Sequence, residues 1–299
     1  MSIRNLDKIF EPQRVAVIGA SDSPTSVGYT VLRNLVGSGF RGVVYPVNPK
    51  RESVQGIHAY KDSPSLPHPP DLAVVCTPAP TVPEIVRQCG EAGTRGLVVI
   101  SAGFREIGEE GRKLEQRILD EQKKFDGMRI LGPNCLGIIV PGFSYFVSVG
   151  NMLDVSMGDL IDYFGSATET QSIILYIESI SEAREFMSAA RAFARTKPIV
   201  AYKAGRFAES AAAAASHTGA MAGVDAVYEA AFQRAGIERI FQIEDMFDCA
   251  ELLARQQPPK GDRLAIITNA GGPGVMTTDA LIERTGKLAT LADDTMEKL

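Results

Sequence analysis

The chain carries no excess of positive charge: 36 acidic against 31 basic residues leave a formal charge of −5 over 299 residues. A general nucleic-acid binder needs a basic surface to neutralise phosphates, so that class is excluded, although a local basic pocket for a phosphorylated small molecule is not. Cysteine is scarce. The four, at positions 76, 89, 135 and 249, include no CxxC pair and no metal-ligand spacing, the pattern of reduced thiols in a cytoplasmic protein. The opening stretch MSIRNLDKIFEPQR has neither an apolar core nor a small-residue cleavage site and does not read as a secretory signal. One long uncharged run, Ile130 to Leu153, has the length of a bilayer span. It contains Gly132-Pro133-Asn134, Pro141-Gly142 and Gly150-Asn151, which would leave backbone groups unpaired in lipid, so it reads as a buried, loop-rich passage and no membrane association is expected.

With hydrophobic residues at 45% and charged residues at 22%, the chain can bury a substantial core. Its length allows two domains, or one and a piece of another. Residues 14–141 alternate short apolar runs with helical patterns: RVAVIG (14–19), VVYPVN (43–48), DLAVVCT (71–77), GLVVIS (96–101) and MRILG (128–132) read as strands. Helices are expected from Tyr29–Leu35, over 83–93 and over the charged amphipathic stretch 109–125. The apolar runs carry charge at their ends rather than alternating, the mark of strands buried on both faces. Repeated strand–helix units of this kind wind into a parallel sheet, so the expected fold is α/β with an N-terminal Rossmann-type domain.

In such sheets ligands bind at the carboxyl ends of the strands. The first turn here, Gly19-Ala20-Ser21 through Gly28, lacks the GxGxxG spacing and is longer. A glycine turn that feeds a helix N-terminus still offers backbone N–H groups to a phosphate, although a plain strand–helix turn also needs glycine. An NAD site wants an acid at the end of the second strand. That strand instead ends Val47-Asn48-Pro49-Lys50-Arg51, with two bases, which suits an adenosine nucleotide bearing an extra ribose phosphate: CoA or NADP. A solvated turn is the plainer reading of Lys50-Arg51.

From 143 onward strands and helices begin again. FVSVGN (146–151), SIILYIES (172–179) and KPIVAYKAG (197–205) read as strands. Helices are expected after a cap at Asp154, over 181–195, in the alanine-rich 208–215 and over 224–236. Asp154, Asp159 and Asp162 are better explained by capping and exposure than by a metal. Cys135 could serve as a nucleophile, but a buried thiol is commoner. His217, one of three histidines, lies in Ser216-His217-Thr218-Gly219, a small-residue loop that lets backbone approach a phosphate and leaves an imidazole free as a nucleophile. A capping or solvent-facing histidine would fit the composition as well.

SHTGAMAG (216–223), together with VIGAS (17–21), YPVNP (45–49), LGPNCLG (131–137) and LYIES (175–179), resembles the ADP-forming acetyl-CoA synthetases and the wider succinyl-CoA ligase α-chain superfamily. The resemblance implies that His217 is phosphorylated beside Glu178, with Ser216, Thr218 and Gly219 as its phosphate loop. It implies CoA at Gly19, Ala20, Ser21, Gly28, Asn48, Lys50, Thr77 and Asn134. It further implies conversion of acyl-CoA, phosphate and ADP to a small carboxylic acid, CoA and ATP. ADP or ATP with magnesium would sit on an ATP-grasp domain, in a partner subunit or fused chain, within an oligomer. No ATP-grasp sequence is present in this chain.

The expected domains are a CoA-binding Rossmann-type domain over 1–141, a flavodoxin-like phosphohistidine domain over 142–257, and the start of a further α/β unit over 258–299. Against the family pattern, a glycine-rich strand–loop–helix unit of roughly thirty residues is missing between Pro141 and Phe146. The third unit has a glycine loop at 271–274, and residues 256–261 read as its linker. A non-catalytic CoA-binding remnant and an NADP-dependent oxidoreductase are the competing readings.

Overall fold

The computed structural model describes residues 3–139, 145–207, 224–256 and 261–298. They divide into two compact units, residues 1–251 and 252–299.

The first unit opens with a short helix, α1 (Asp7–Phe10), then β1 (Arg14–Ile18), α2 (Val27–Gly37) and β2 (Val43–Val47). A small antiparallel hairpin, β3 (Ser53–Val54) and β4 (Ile57–His58), precedes β5 (Leu72–Val75). Next come α3 (Val82–Glu91), β6 (Gly96–Val99), α4 (Glu109–Gln122) and β7 (Arg129–Leu131). The five longer strands form one parallel sheet in the order β2-β1-β5-β6-β7. Pro46 lies in β2, an edge strand, where a missing N–H costs no ladder bond to a central neighbour. Alternation along each strand feeds two cores. Ala16, Ile18, Ala73, Val75, Leu97 and Val99 pack with α3 and α4. Val15, Leu72, Val74, Val98 and Leu131 face Leu6, Ile9 and Phe10 near α1.

After β7 the chain makes an antiparallel pair, β8 (Gly137–Ile139) with β9 (Phe146–Ser148). Helix α5 (Met157–Ser166) follows, then β10 (Ile173–Ile177), α6 (Ala183–Ala194), β11 (Ile199–Lys203), α7 (Asp225–Ala235), β12 (Glu238–Ile240) and α8 (Ile243–Arg255). Strands β10, β11 and β12 form a second parallel sheet in that order. The expected strand 146–151 is therefore short and belongs to the β8–β9 pair rather than to the second sheet. The expected cap is also different. Ser156 caps α5 through a reciprocal box with Asp159, while Asp154 is taken up by Arg129, with Asp154 Oδ2 accepting from Arg129 Nε at 3.0 Å.

The two sheets share a core. Phe164 and Val155 join the apolar cluster of α1 and β1, and Phe10 stacks on Tyr163 with ring centroids 5.2 Å apart. Arg129, 7% exposed, closes on Asp154 and also on Asp159 at 3.3 Å, so β7 is tied to the start of α5.

The second unit contains β13 (Arg263–Leu264), α9 (Gly271–Glu283), β14 (Lys287–Leu288) and α10 (Asp293–Met296), with β13 and β14 parallel. Most of its residues are exposed, and α9 buries none. Two short strands and two helices, with no buried residue on either helix, supply too little apolar surface for a core of their own. The residues 257–260 of the expected linker lie outside the described residues.

Candidate functional site

The strand order reverses between β1 and β5, and this is where the carboxyl ends of a parallel sheet open a crevice. Gly19 and Thr77 flank it. A Cβ on Gly19 would come within 2.9 Å of Thr77 Cγ2, and Gly19 holds φ +88°, open to glycine at little cost. The start of α2 comes so close to β1 that a Cβ on Gly28 would stand 1.9 Å from Gly19 O. Both glycines are thus required by close approach, Gly28 by the backbone of Gly19 and Gly19 by Thr77 and the Cys76 carbonyl, and the N-terminus of α2 is held tight against the turn after β1. Ser26 caps that helix, accepting from Tyr29 N at 3.1 Å.

The loop at 19–22 is pinned from the second strand. Asn48 Nδ2 donates to Ala20 O at 2.8 Å, and Asn48 Oδ1 accepts from Lys50 N at 2.9 Å. Gln55 Nε2 donates to Ser21 O and Tyr29 O, and its backbone N–H to Asp22 Oδ1 at 2.7 Å. Asn48 therefore shapes the turn, while Lys50 lies exposed at the crevice rim. Arg51 approaches Asp22 at 3.7 Å.

Asn134 follows β7 with φ +57°, and its N–H donates to Ser101 O, just past the end of β6, at 2.9 Å. Gly19, Ala20, Ser21, Gly28, Asn48, Lys50, Thr77 and Asn134 thus all fall along one carboxyl edge. Cys135 in the same loop is no nucleophile: it is 4% exposed, its thiol donates to Val99 O, and burial pushes it up to about 11.

Sequence reasoning missed the polar knot beside Asn134. Asn151 Nδ2 donates to Glu106 Oε2 at 3.1 Å and to Glu115 Oε1 at 2.9 Å, and Arg105 Nε donates to both oxygens of Glu115. Two buried or half-buried carboxylates are satisfied here by one amide, one guanidinium and the backbone N–H groups of Gly103 and Phe104. The only signal in the sequence is polarity inside the long uncharged run, at Gly150-Asn151.

At the second sheet, Glu178 stands half-buried just past the end of β10. Tyr176, two residues back on the same face, has its phenol pushed up by burial, then by the Glu178 carboxylate and its hydrogen bond. Its ring stacks on Tyr202 with centroids 5.7 Å apart. Lys203 ends β11 opposite Ile177. His217, Ser216, Thr218 and Gly219 lie outside the described residues, so their meeting with Glu178 stays an expectation. Among the described residues no His, Cys, Asp and Glu group could hold a metal ion, and no helix is long and apolar enough to cross a membrane. Asp159 acts in a helix cap and Asp154 in an ion pair.

Comparison with known proteins agrees with this architecture. The family described as a CoA binding domain matches residues 13–141, and the succinyl-CoA ligase like flavodoxin domain matches 140–253. The α subunit of acetate–CoA ligase [ADP-forming] II from Pyrococcus furiosus is 40% identical, over 98% of this chain and 72% of its own length. That alignment runs over 333 positions against 299 residues here, so part of the relative has no counterpart in this chain. 4-Hydroxybutyrate–CoA ligase [ADP-forming] from Nitrosopumilus maritimus is 34% identical over 95% of this chain and 47% of its own length. Among solved structures, the dinucleotide forming acetyl-coenzyme A synthetase 1 of Ca. Korarchaeum cryptofilum, in complex with phosphate and ADP, superposes with a TM-score of 0.91 at 34% identity. It is covered over 71% of its length by 98% of this chain. With both family matches in order along one chain, and a relative of this identity covered over more than two thirds of its length, this chain belongs to the family of ADP-forming acetate–CoA ligases, in the part that corresponds to their α subunit.

Proposed function

We propose that this chain is the CoA-binding and phosphohistidine-bearing part of an ADP-forming acyl-CoA synthetase, converting acyl-CoA, phosphate and ADP reversibly into a small carboxylic acid, CoA and ATP. The observation that carries the reading is that one core joins a sheet with a glycine turn closed on a helix N-terminus to a second parallel sheet whose first strand leads into Glu178. The turn suits CoA: Gly28 lets the first turn of α2 pack against the backbone of Gly19 at the carboxyl end of β1, where helix N-terminal amides would meet a pyrophosphate, and the exposed Lys50 would take a ribose phosphate. Ala20, Ser21, Asn48, Thr77 and Asn134 complete the assignment.

The chemistry follows in three steps. A phosphate oxygen attacks the thioester carbonyl, the C–S bond breaks, and CoA leaves as the thiolate. One ring nitrogen of His217 then attacks phosphorus in the acyl phosphate, and the carboxylate leaves with the electrons of the broken O–P bond. Finally a terminal oxygen of ADP takes the phosphoryl group from nitrogen. Glu178 accepts a hydrogen bond from the other ring N–H, fixing the tautomer and stabilising the charged ring. Ser216, Thr218 and Gly219 give the phosphoryl oxygens their donors. Phosphoryl transfer needs positioning and charge stabilisation more than covalent help from the protein.

The domains in this reading are 1–141 for CoA, 142–257 for the phosphohistidine, and 258–299 as the beginning of a further unit. The nucleotide and its magnesium belong to an ATP-grasp domain on a partner subunit or fused chain, in a cytoplasmic oligomer. A strand–loop–helix unit is absent before Phe146. The unmatched positions in the alignment support that absence, as does the outer edge of β10, which has no strand neighbour among the described residues.

The test is incubation of the full chain, with its nucleotide-binding partner, with acyl-CoA and radiolabelled phosphate. Acid-labile label on His217, lost in His217→Ala and strongly reduced in Glu178→Gln, is expected. Label that persists in His217→Ala would overturn the reading. CoA binding without any label, with the partner supplied, would turn it into that of a non-catalytic CoA-binding protein.

A further inference from the structure

The carboxyl end of the second sheet holds a cation that the chemistry above does not use. Lys203, the last residue of β11, is 1% exposed. Its ammonium donates to the neighbouring carbonyl of Ala204 and stands 4.7 Å from the centre of the Tyr228 ring, in the first turns of α7. Among the described residues no carboxylate closes an ion pair with it. Two of the three acids near it are committed to another cation: Asp225 Oδ1 accepts from Arg239 at 2.5 Å and Glu229 Oε2 from the same guanidinium at 2.8 Å, while Glu178 acts on Lys203 through its charge. A buried ammonium has three donors and a large desolvation cost, and one carbonyl with one aromatic face is a thin return for it.

Two neighbouring features point the same way. Val224 precedes α7 and gives its first-turn amides no side-chain cap. Arg206, three residues after Lys203, has a buried Nε with no hydrogen-bond partner; it meets Asp225 at 4.0 Å among the described carboxylates and lies 4.4 Å from the centre of the Phe241 ring. Two cations, Lys203 and Arg206, and a helix N-terminus that its own N-cap residue leaves without a side-chain cap are therefore gathered at one strand end, next to Glu178. That is the donor set of an oxyanion site.

We propose that Lys203 is an anion-binding residue that takes a phosphate oxygen at the carboxyl end of β11, with the first turn of α7 and Arg206 beside it. Its part in catalysis rests on the phosphohistidine reading: the ammonium would hold the charge of the phosphoryl group while His217 carries it. Binding of phosphate as such does not depend on that reading.

Burial lowers the Lys203 ammonium from its ordinary range, Arg239 adding to this while Asp225 and Glu178 oppose it. An anion within contact favours the charged form, so bound phosphate should raise the titration midpoint by about 1 to 3 pH units. The test is a pH titration of the full chain carrying ¹³C-labelled lysine, with and without inorganic phosphate, with the Lys203 signal assigned by its loss in Lys203→Met. The groups facing it are Glu178, Asp225, Tyr228, Glu229, Arg206 and Arg239, and none of them differs between the two samples. The same midpoint with and without phosphate would overturn the proposal, and this measurement needs no variant to fold beyond the assignment. Phosphate binding by calorimetry should weaken about tenfold or more in Lys203→Met and recover in part in Lys203→Arg, as expected for loss and partial return of a charge-assisted bond. Equal affinity in a folded Lys203→Met would overturn it too. If phosphate moves Lys203 but His217 is never labelled, the phosphohistidine reading fails and the anion site stands. If His217 labels at the normal rate in Lys203→Met, the role in catalysis is overturned and the function is not.

Discussion

Strands β5 and β10 are built from the same kind of residue, yet they end in different surroundings. Leu72–Val75, the LAVV of β5, is buried at every position, whereas in Ile173–Ile177, the IILYI of β10, only Ile177 is buried and Tyr176 is 49% exposed. The difference lies in neighbours. β5 has β1 on one side and β6 on the other, with helices against both faces of the sheet. β10 has β11 alone among the described strands, and its covered face is the one that carries Ile177 toward Phe186 and Ala189 of α6. A continuous apolar run is the signature of a central parallel strand. β10 has that signature at the margin of its sheet among the described strands, as the proposed absence of a neighbouring unit would leave it.

The joint between the two sheets is where this comparison can be broken most forcefully. Arg129 of β7 is shared by Asp154 and Asp159, and Asp159 also completes the cap of α5. Arg129→Met fills the volume but leaves two carboxylates without their cation, so a loss of about 3 to 5 kcal/mol is expected from urea unfolding. If the loss stays under about 1 kcal/mol, the aromatic contacts of Phe10, Tyr163 and Phe164 hold the joint alone.

A matched pair of truncations compares the sheets directly. Leu97 in β6 is fully buried, and Leu175 in β10 is half-buried. Leu97→Ala is expected to cost about 3 kcal/mol and Leu175→Ala about 1 kcal/mol, because the second side chain forfeits less contact and its site is open to solvent. Equal costs would mean that β10 is as well enclosed as β6, and would remove the support that its free edge lends to an absent unit.

The first sheet was legible because its strands keep the doubly buried pattern and its turns use residues with one physical purpose. Gly19 and Gly28 announce a close backbone approach, and the structure shows what a Cβ would strike. The capping of α5 was misread because Asp154 and Ser156 are both good caps. Only the third dimension reveals that Arg129 claims the first of them, leaving the second for the box with Asp159. Glu178 and Lys203 differ in the same way. Glu178 came from a motif, while a lysine at a strand end reads as a solvated terminus until α7 covers it. The knot of Asn151 with Glu106 and Glu115 joins residues 36 and 45 positions apart, beyond any local pattern.

That knot gives the first region an acid limb of its own. Burial pushes Glu106 up, but the backbone N–H groups of Phe104 and Gly103 and the Asn151 amide outweigh it and hold the carboxyl below its usual range. A depressed carboxyl contributes stability that is complete above its unfolded value, about 4.3, and is lost as the pH falls through the folded one. Glu106→Gln is expected to cost about 1 kcal/mol at neutral pH through weaker hydrogen bonds, and to flatten the loss of stability below about pH 4. Urea midpoints at neutral and acid pH check both; an unchanged acid limb would place the proton uptake elsewhere.

The smallest effect belongs to the open face of the second sheet. Tyr176 is half exposed and touches Tyr202 in a stack, while Tyr45 on the first sheet is 6% exposed and packed in the core beside Tyr60. Tyr176→Ala should cost about 0.5 to 1 kcal/mol, the worth of one aromatic contact at a wet site. Tyr45→Ala should cost about 3 kcal/mol or more, because it opens a cavity. A cost above about 2 kcal/mol for Tyr176 would mean that something covers this face in solution. Adding the proposed nucleotide-binding partner then separates the sources: a cost that appears only with that partner present locates the cover on it. A cost already present in the isolated chain locates it within the chain itself, and the contrast between the two sheets would no longer hold.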